Sequence, residues 1–455
     1  MKKLFGTNGI RGIVNKELNV EFISKIAEAI GTWYGKNSWL AIGTDARTSS
    51  DAVKRIVTGS LCLTGINVID LGMVPTPAIQ LFIKNHKLDG GVIITASHNP
   101  PEFNGIKCIS STGMELSETD EEAIESIYFD GKSVPVEWNE TGLVRNTDTA
   151  AQEYIASIVK HTESEHKKRK LLVVIDSANS VGSVTSPHIV ERLGHIPVTI
   201  NSNIQGSFPG RNPEPVKENL SNLIKMVKSI NADLGVAHDG DADRAIFIDN
   251  EGNFIAGEVA LATIAYDIIK RRGSGIFVTP VSTSSIVERY ISSAGGVTRY
   301  SKIGAPAVSS LMIELNALFG GEENGGMIYP EHLYARDGGM TLAYMLKILS
   351  EGDISSKELF DRVPSVGFSK MKVHCDNSKK SEVMKRMEIE SNGLKIDKTD
   401  GLKLFIDTGW VLVRASGTEP IIRVYVESTN EKSAMAIAEE YVKKIDAFIM
   451  DTGHS

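Results

Sequence analysis

The feature that most constrains the fold of this chain is an internal repeat of strand, helix and strand, which occurs three times. Each unit begins with a short apolar strand, passes through a polar loop rich in serine and threonine, and continues into an amphipathic helix that stops at a glycine. A second apolar strand follows, and so short a crossover joins neighbouring parallel strands. The opening strands are predicted at residues 40–42, 171–175 and 276–278, and the helices stop at Gly65, Gly194 and Gly295.

The likeness of the three units continues beyond the second strand. Each unit then shows another helix, another strand and a polar loop, and these loops lie at residues 95–100, 239–244 and 322–326. In open α/β sheets, ligands collect at the carboxyl ends of the strands. Three equivalent loops therefore predict one shared cleft.

The last part of the chain has a different pattern. Strands are predicted at residues 410–414 and 421–426, on either side of a polar turn, and a final helix at residues 431–449. A length of 455 residues fits several domains. We therefore divide the chain into residues 1–150, 151–253, 254–367 and 368–455, of which the first three are α/β domains with mixed sheets.

Composition excludes several classes of protein. Hydrophobic residues make up 41% and charged residues 23% of the chain, which are values of globular and not of disordered proteins. The net charge of -8 argues against a protein that coats nucleic acid. No apolar run approaches the roughly 18 residues that span a membrane. Three scattered cysteines without a CxxC pair fit a reducing compartment, so we expect a soluble cytosolic protein.

Three aspartates alternate in the polar loop of the second unit. Asp239, Asp241 and Asp243 follow an apolar strand, and a period of two places three carboxylates on one side of an extended segment. Carboxylates so close repel one another unless a cation lies among them, and hard oxygen ligands suit Mg²⁺. An EF-hand needs glycine and glutamate where this chain has Arg244 and Asn250. A solvated acidic turn is the alternative interpretation, which the apolar strands on both sides disfavour.

A serine follows the last apolar strand of the first unit. Ser97 precedes a turn at residues 99–101, a second turn is predicted at residues 104–105, and Lys107 follows. A serine at a strand end serves either as a nucleophile or as a turn residue that caps backbone groups. There is no GxSxG motif, and in an extended chain His98 would point away from Ser97. Both interpretations stay open on these residues alone.

Two further loops suit an anion. Arg414, Ser416 and Thr418 surround Gly417 at a strand end, and their guanidinium, hydroxyls and permissive backbone suit a phosphate. The loop has no Walker sequence, and an ordinary tight turn is the alternative. The glycine-rich segment 6–12 carries Arg11, which would face an anion, but its spacing is not that of a dinucleotide-binding loop. A flexible start of the first strand is the other interpretation there.

Together these motifs resemble the α-D-phosphohexomutase superfamily. The resemblance implies three domains with one shared α/β core, a smaller α+β fourth domain and one central cleft. It implies an enzyme that interconverts hexose 6-phosphates and hexose 1-phosphates. The matching segments span essentially the whole chain in the order of that family: Thr-Ala-Ser-His-Asn-Pro at 95–100, Asp-Gly-Asp-Ala-Asp-Arg at 239–244, Gly-Glu-Glu-Asn-Gly at 321–325 and Arg-Ala-Ser-Gly-Thr-Glu-Pro at 414–420.

The resemblance also implies a role for each candidate residue. Ser97 would be carried as phosphoserine, and Mg²⁺ would be held by its phosphate together with the three aspartates. A hexose 1,6-bisphosphate would form, turn end for end and return its other phosphoryl group to the serine, while a mobile fourth domain excludes water. The remaining implied positions are Arg11, Lys107 and Arg244 facing the reacting phosphate, Glu322 and Asn324 binding sugar hydroxyls, and Arg414, Ser416, Gly417 and Thr418 binding the phosphate that does not react.

The resemblance does not single out one hexose phosphate as the substrate. Segment 5–12 and the Ser-Gly-Thr-Glu-Pro loop are similar to phosphoglucosamine mutases and their archaeal relatives, whereas segment 95–101 fits phosphomannomutase/phosphoglucomutases equally well. We therefore expect glucosamine 6-phosphate and glucosamine 1-phosphate, with mannose or glucose phosphates as the alternative. Many family members have histidine where Gly326 stands, so the proton-transfer role of that histidine is not carried over, and the group that replaces it is not predicted. Many also have Gly-Asp where this chain has Gly304 and Ala305, so a contact that the third domain makes in those members is not carried over either.

Two alternatives of another kind are a sugar-phosphate sensor without activity and a phosphatase. The intact Ser97 and the three aspartates argue against the sensor. A phosphatase needs a base that activates water, and the sequence shows no clear one. The expected partners are hexose phosphates and hexose 1,6-bisphosphate, with no nucleic acid and no membrane, and the sequence makes no prediction of the oligomeric state.

Overall fold

The structure is a computed structural model, which describes residues 4–6, 9–417 and 419–451 and arranges that part of the chain around four β-sheets. The first unit contains β1 (Ile10–Ile13), α1 (Val20–Tyr34), β2 (Trp39–Thr44), α2 (Ser50–Leu63), β3 (Asn67–Met73), α3 (Thr76–His86), β4 (Gly90–Ile94), β5 (Phe103–Ser110), α4 (Glu118–Asp130) and β6 (Val144–Asn146). Its strand order is β1-β5-β4-β2-β3-β6. Strand β5 pairs antiparallel with β1 and β4, whereas β2 pairs parallel with β3 and β4, so the sheet is mixed.

The second unit repeats the pattern with a smaller sheet of order β11-β10-β9-β7-β8. Strand β9 pairs parallel with β7 and antiparallel with β10. Its elements are α5 (Ala150–Thr162), β7 (Leu172–Asp176), α6 (Gly182–Arg192), β8 (Ile196–Ile200), a 3₁₀ turn (Lys217–Asn219), α7 (Ser221–Ser229), β9 (Leu234–Ala237), β10 (Ile246–Asp249) and β11 (Phe254–Ile255).

The third unit has the sheet order β13-β12-β14-β15-β16, again with parallel and antiparallel pairs. The parallel pairs of β2 with β3, β7 with β8 and β12 with β13 confirm the predicted repeat. The elements of this unit are α8 (Gly257–Arg272), β12 (Gly275–Pro280), α9 (Ser285–Ser292), β13 (Gly296–Ser301), α10 (Ala305–Glu314), β14 (Phe319–Gly321), β15 (Met327–Tyr329), β16 (Leu333–Arg336), α11 (Gly338–Glu351) and α12 (Ser356–Phe360).

The last unit is antiparallel, with the strand order β17-β21-β20-β19-β18. Its elements are β17 (Gly367–His374), α13 (Asn377–Glu390), β18 (Lys395–Asp397), β19 (Leu402–Ile406), β20 (Gly409–Ala415), β21 (Ile421–Ser428) and α14 (Glu431–Asp451). Three α/β units followed by a smaller α+β unit confirm the predicted fold class.

Alternating side chains of the first sheet enter two different cores. Val92 and Ile94 of β4 pack in a core within the first unit, whereas Ile93 packs in a larger core that continues through the second and third units. This shared core fixes the three α/β units against one another. Among the described helices, none combines the length and the apolar character needed to cross a membrane.

The turn predicted at residues 104–105 is wrong, because these residues lie inside β5. Gly105 sits between two neighbouring strands, and a Cβ atom there would lie 2.5 Å from the carbonyl oxygen of Ile10 and 2.6 Å from that of Thr95. The glycine is therefore required by close backbone approach in the sheet and not by a turn.

Candidate active site

Ser97 lies in the loop after β4, and its backbone departs from an extended chain. Its φ angle is 51°, in the left-handed region, so the chain turns at the serine itself. The fully buried Oγ atom donates a hydrogen bond to Asp239 Oδ2 at 2.7 Å and lies 3.3 Å from His98 Nδ1. The prediction that His98 points away from Ser97 is wrong, because it assumed an extended backbone.

A buried arginine that the sequence analysis did not identify fixes the backbone of the loop between β4 and β5, residues 95–102, which we call the serine loop. Arg47 follows β2, is 2% exposed, and donates from Nε to Asp45 Oδ2 at 3.0 Å. Its terminal nitrogens donate to four backbone carbonyl oxygens, those of Ser97 (2.8 Å), Asn99 (2.6 Å), Pro100 (2.5 Å) and Phe103 (2.9 Å). Every N–H of the guanidinium has an acceptor, so Arg47 shapes the loop and has no donor left for a ligand.

Asp239, Asp241 and Asp243 meet in the loop between β9 and β10. Each is buried, and each offers a carboxylate oxygen within 4.8 Å of the other two. The predicted extended segment is wrong in detail: Ala242 has a φ angle of 57°, and the carboxylates converge around a turn. A Cβ atom on Gly240 would lie 2.4 Å from the carbonyl oxygen of Ser97, so this glycine permits the metal loop, residues 239–243, to pack on the serine loop.

The electrostatics of the three carboxylates call for a cation. Burial, with repulsion from Asp243 and Asp241, raises the pKa of Asp239. Burial also acts to raise the pKa of Asp241, but Lys107 and a hydrogen bond from Thr76 outweigh it, and the pKa is lowered. The Oδ1 atoms of Asp241 and Asp243 are buried without a hydrogen-bond partner among the described residues. Two such oxygens beside a third carboxylate fit a divalent cation that prefers oxygen ligands.

Three basic side chains predicted from the sequence surround this cluster. Lys107 Nζ lies 3.1 Å from Asp241 Oδ2 and 3.9 Å from Asp243 Oδ2. Arg244 Nε lies 3.7 Å from Asp239 Oδ2. Arg11 Nη1 donates to Asn99 Oδ1 at 2.6 Å, and its buried Nη2 has no partner in the described part of the chain.

His98 is a neutral imidazole beside these groups. Burial lowers the pKa of His98 to about 2, and the positive charges of Arg244 and Arg11 act in the same direction. Its Nδ1 atom accepts a hydrogen bond from Arg244 Nη2 at 3.1 Å, which orients the guanidinium next to Ser97.

Two more residues that the sequence analysis missed contact the aspartates. Thr76, at the start of α3, donates from Oγ1 to Asp241 Oδ2 at 2.8 Å and from its backbone N–H to the carbonyl oxygen of Asp241 at 3.0 Å. Arg336, at the end of β16, donates from Nη2 to Asp243 Oδ2 at 2.6 Å. The Nη1 atom of Arg336 reaches Glu322 Oε2 at 3.0 Å, so this arginine joins the metal loop to the loop after β14.

Four units of the chain contribute to one cleft of about 560 Å³ beside the cluster. The predicted residues on its wall are Arg244, Glu322, Asn324, Arg414, Ser416 and Gly417, and Arg336 is on the wall as well. The other predicted residues, Ser97, Lys107, Arg11 and the three aspartates, are not among those that line it; all of them are buried except Arg11, which is half-buried. Thr418 lies outside the described residues.

The loops of the third and fourth units are held by their own contacts. Glu322 Oε2 accepts from Arg336 and, at 3.5 Å, from Asn324 Nδ2. Arg414 Nε lies 2.9 Å from Asp400 Oδ2, and the same oxygen accepts the backbone N–H of Ile303 at 2.9 Å. Asp400 therefore ties Arg414 of the fourth unit to the backbone of the third.

Known protein families and known proteins match this chain along nearly its whole length. The domains described as phosphoglucomutase/phosphomannomutase alpha/beta/alpha domains I, II and III and the C-terminal domain match residues 2–135, 152–252, 256–366 and 371–444. A phosphoglucomutase/phosphomannomutase of Thermococcus kodakarensis is 41% identical over 452 residues, covering 98% of this chain and 99% of that protein. A phosphoglucosamine/phosphogalactosamine mutase of Sulfurisphaera tokodaii is 42% identical over 453 residues, covering 98% and 100%.

The fold is also similar to that of solved structures. A putative phosphomannomutase from Thermus thermophilus superposes with a TM-score of 0.83 at 26% identity, covering 98% of this chain and 100% of that one. Fold, site and full-length relatives together define an enzyme of the phosphohexomutase class. More narrowly, the chain belongs to the phosphoglucomutase/phosphomannomutase family.

Proposed function

We propose that the enzyme interconverts hexose 6-phosphates and hexose 1-phosphates through a phosphoserine at Ser97 and a hexose 1,6-bisphosphate. The observation that carries this proposal is the 2.7 Å hydrogen bond from Ser97 Oγ to Asp239 Oδ2, because it joins a buried hydroxyl directly to the carboxylate cluster. We propose glucosamine phosphates as the principal substrates and mannose and glucose phosphates as the alternative. The relatives' names support both, since one is a phosphoglucosamine/phosphogalactosamine mutase and the other a phosphoglucomutase/phosphomannomutase.

We propose Mg²⁺ as the cation, held by Asp239, Asp241, Asp243 and an oxygen of the phosphorylated Ser97. The Oδ1 atoms of Asp241 and Asp243 support this ligand set, because both are buried and accept no hydrogen bond from the described residues, although Arg244 Nε lies 3.7 Å from that of Asp243. When bound, Mg²⁺ neutralises charge on the phosphoryl group.

The basic residues would supply the rest of the neutralisation. A phosphoserine brings about two negative charges and three acceptor oxygens. The buried Arg11 Nη2 has a hydrogen atom to donate and no acceptor among the described residues, which a phosphoryl oxygen would provide. Lys107 and Arg244 already lie within 4 Å of the aspartates, so each can hold the phosphoryl group on a different side without a large movement.

The cleft wall would bind the rest of the sugar. A bisphosphate that turns end for end presents its two phosphates alternately to Ser97, so the site for the other phosphate has to accept either end. Arg414, Ser416, Gly417 and Thr418 are proposed for that site, because a guanidinium and backbone N–H groups bind phosphate without reading the sugar. Glu322 and Asn324 are proposed to bind ring hydroxyls or the amino group.

The proposal is tested by turnover of the three hexose phosphates. Glucosamine, glucose and mannose 6-phosphate are supplied separately with Mg²⁺ and a trace of hexose 1,6-bisphosphate, and each 1-phosphate is measured in a coupled assay. We expect turnover of all three, with the highest kcat/KM for glucosamine 6-phosphate. Release of inorganic phosphate without any 1-phosphate would contradict the mutase assignment.

The two loops on the cleft wall should respond differently to substitution. Arg414→Ala should lower kcat/KM for all three substrates by a similar factor of about a hundredfold or more, because a charged partner of the phosphate is lost from a largely desolvated site. Glu322→Gln should change the ratio of the three kcat/KM values, because it alters the acceptor capacity toward an amino or hydroxyl group.

Arg386→Ala is the control for Arg414→Ala. Arg386 lies on α13 of the same unit, pairs with Glu382, and is not among the residues that line the cleft. It should leave all three kcat/KM values unchanged. If Arg414→Ala reorders the substrates while Glu322→Gln scales them equally, the roles of the two loops are the reverse of those proposed.

We place the domain boundaries near residues 150, 253 and 367. We also place the enzyme in the cytoplasm, which the three free cysteines support, since disulfides persist in oxidising compartments and not in the cytosol.

A further inference from the structure

Arg336 bridges two loops that the proposed function assigns to different tasks. Its side chain is 3% exposed, and its two terminal nitrogens point to two carboxylates. Nη2 donates to Asp243 Oδ2 at 2.6 Å, and Nη1 donates to Glu322 Oε2 at 3.0 Å. The guanidinium is planar and rigid, so the positions of the two carboxylates are linked through it.

The path of the Arg336 side chain depends on a glycine. A Cβ atom on Gly326 would lie 2.3 Å from Arg336 Cδ and 3.0 Å from Cγ, so the arginine stem lies directly against the glycine backbone. Any side chain at residue 326 would displace the arginine. Gly326 also donates its backbone N–H to Asn324 Oδ1 at 3.0 Å, so the glycine holds Asn324 of the same loop, residues 322–326, which we call the sugar loop.

We propose that Arg336, seated on Gly326, is a positioning residue that couples the sugar loop to the metal loop. It fixes the Glu322 carboxylate for contact with the substrate ring, and it fixes Asp243 for the cation. The inference rests on the proposed roles of Glu322 and Asp243, and it adds that neither carboxylate is correctly placed without the arginine.

A purely structural role for Arg336 makes a different prediction. A buried ion pair that only supports the fold would, when weakened, lower stability and reduce the activity on every substrate by the same factor. A coupling residue changes two properties together: the ratio of kcat/KM among the three hexose phosphates, and the Mg²⁺ concentration that gives half-maximal turnover.

Two variants test the coupling in independent ways. Arg336→Lys keeps the positive charge but replaces the two-pronged fork with a single ammonium group. Gly326→Ala keeps the arginine and displaces its stem. Both should change the ratio of kcat/KM for glucosamine 6-phosphate and mannose 6-phosphate by about tenfold or more, the effect expected when a hydrogen bond to a charged group is lost. Both should also raise the Mg²⁺ concentration for half-maximal turnover severalfold.

A double-mutant cycle isolates the contact between Arg336 and Glu322. In wild-type enzyme, Glu322→Gln should change the substrate ratio. In the Arg336→Lys background the same substitution should change it much less, because the carboxylate is already misplaced. Additive effects would show that the two residues act separately.

Arg169→Lys is the matched control. Arg169 also joins two units, because Nη1 donates to Asp233 Oδ1 at 3.1 Å in the second unit and Nη2 donates to the carbonyl oxygen of Ile354 at 2.9 Å in the third, and it is not among the residues that line the cleft. Its substitution should lower the melting temperature and leave the substrate ratio and the Mg²⁺ dependence unchanged.

The outcomes separate this inference from the proposed function. If wild-type enzyme converts no hexose phosphate, the proposed function fails. If wild-type enzyme is active and both variants melt cooperatively but scale all substrates equally with unchanged Mg²⁺ dependence, the coupling role is overturned. If Arg336→Lys does not fold, Gly326→Ala decides the question by itself, because it retains the buried charge and both carboxylates.

Discussion

Replacing Ser97 by alanine should lower mutase turnover by at least about a thousandfold, because the variant has no group that can carry the phosphoryl between the two ends of the sugar. The serine is fully buried, and its Oγ atom bonds Asp239. Alanine at this position removes one oxygen atom and leaves the loop shape to Arg47, which binds only backbone carbonyl oxygens of that loop. The loss should therefore be chemical and not structural.

Intact mass measures the phosphoserine directly. Wild-type enzyme incubated with hexose 1,6-bisphosphate should show a fraction heavier by one phosphoryl group, and this fraction should be absent from Ser97→Ala. Both proteins should have similar melting temperatures. Unchanged turnover in Ser97→Ala would overturn the assignment of the serine.

Ser177→Ala is the control for this measurement. Ser177 follows β7 in the second unit, is equally buried, and has an Oγ atom without a hydrogen-bond partner among the described residues. Its replacement should keep both the turnover and the phosphorylated fraction. A loss of phosphorylation in both variants would indicate a general effect of altering buried serines and not a specific role of Ser97.

Most of the residues that the sequence analysis identified lie in short polar loops directly after a strand, whereas Arg11, Lys107 and Arg414 lie inside β1, β5 and β20. Ser97 and the three aspartates are contiguous in sequence with the strands that position them, so a strand pattern followed by a polar motif is enough to find them. The repeat then predicts that these loops meet, because equivalent strand ends of similar α/β units face one cleft.

The residues that it missed come from elsewhere in the chain. Thr76 lies 165 residues from Asp241, and Arg336 lies 93 residues from Asp243. Neither belongs to a local motif, and their contacts exist only because the shared core packs the three α/β units together. A single sequence carries no signal for such a contact, and the glycine at residue 326, where many family members have histidine, left open which group takes the place of that histidine.

Backbone conformation accounts for two of the other errors, those on the serine loop and on the metal loop. The sequence analysis treated residues 97 and 239–243 as extended, whereas Ser97 and Ala242 adopt left-handed φ angles. L-residues other than glycine rarely enter that region, so residue type gave no reason to expect it. Such conformations persist where the surrounding contacts enforce them, and here both lie where the serine loop packs on the metal loop.

Asp241→Asn should remove most of the activity while the protein stays folded. Asp241 is the middle aspartate of the cluster; one of its oxygens accepts hydrogen bonds from Lys107 and Thr76, and the other has no hydrogen-bond partner in the described part of the chain. The amide keeps the shape of the side chain but loses the charge that would bind the cation, and turnover should fall by about a hundredfold or more.

Stability measurements make the test independent of turnover. A cation that binds only the folded protein raises its melting temperature, so adding Mg²⁺ to chelator-treated wild-type enzyme should raise it measurably. The same addition to Asp241→Asn should have little effect. Without the cation, Asp241→Asn loses the ion pair with Lys107. Apart from that loss it should be as stable as wild type, because the repulsion among three buried carboxylates is relieved.

Asp249→Asn separates a metal ligand from a structural aspartate of the same hairpin. Asp249 is also buried, but its oxygens accept hydrogen bonds from Glu251 N, Asn253 N and Asn253 Nδ2 in the turn after β10. Its replacement should lower the melting temperature and keep the response to Mg²⁺, since no oxygen of Asp249 belongs to the cluster. If chelator-treated wild-type enzyme keeps full turnover, or if Asp241→Asn is stabilised by Mg²⁺ as much as wild type, the cluster is not the metal site.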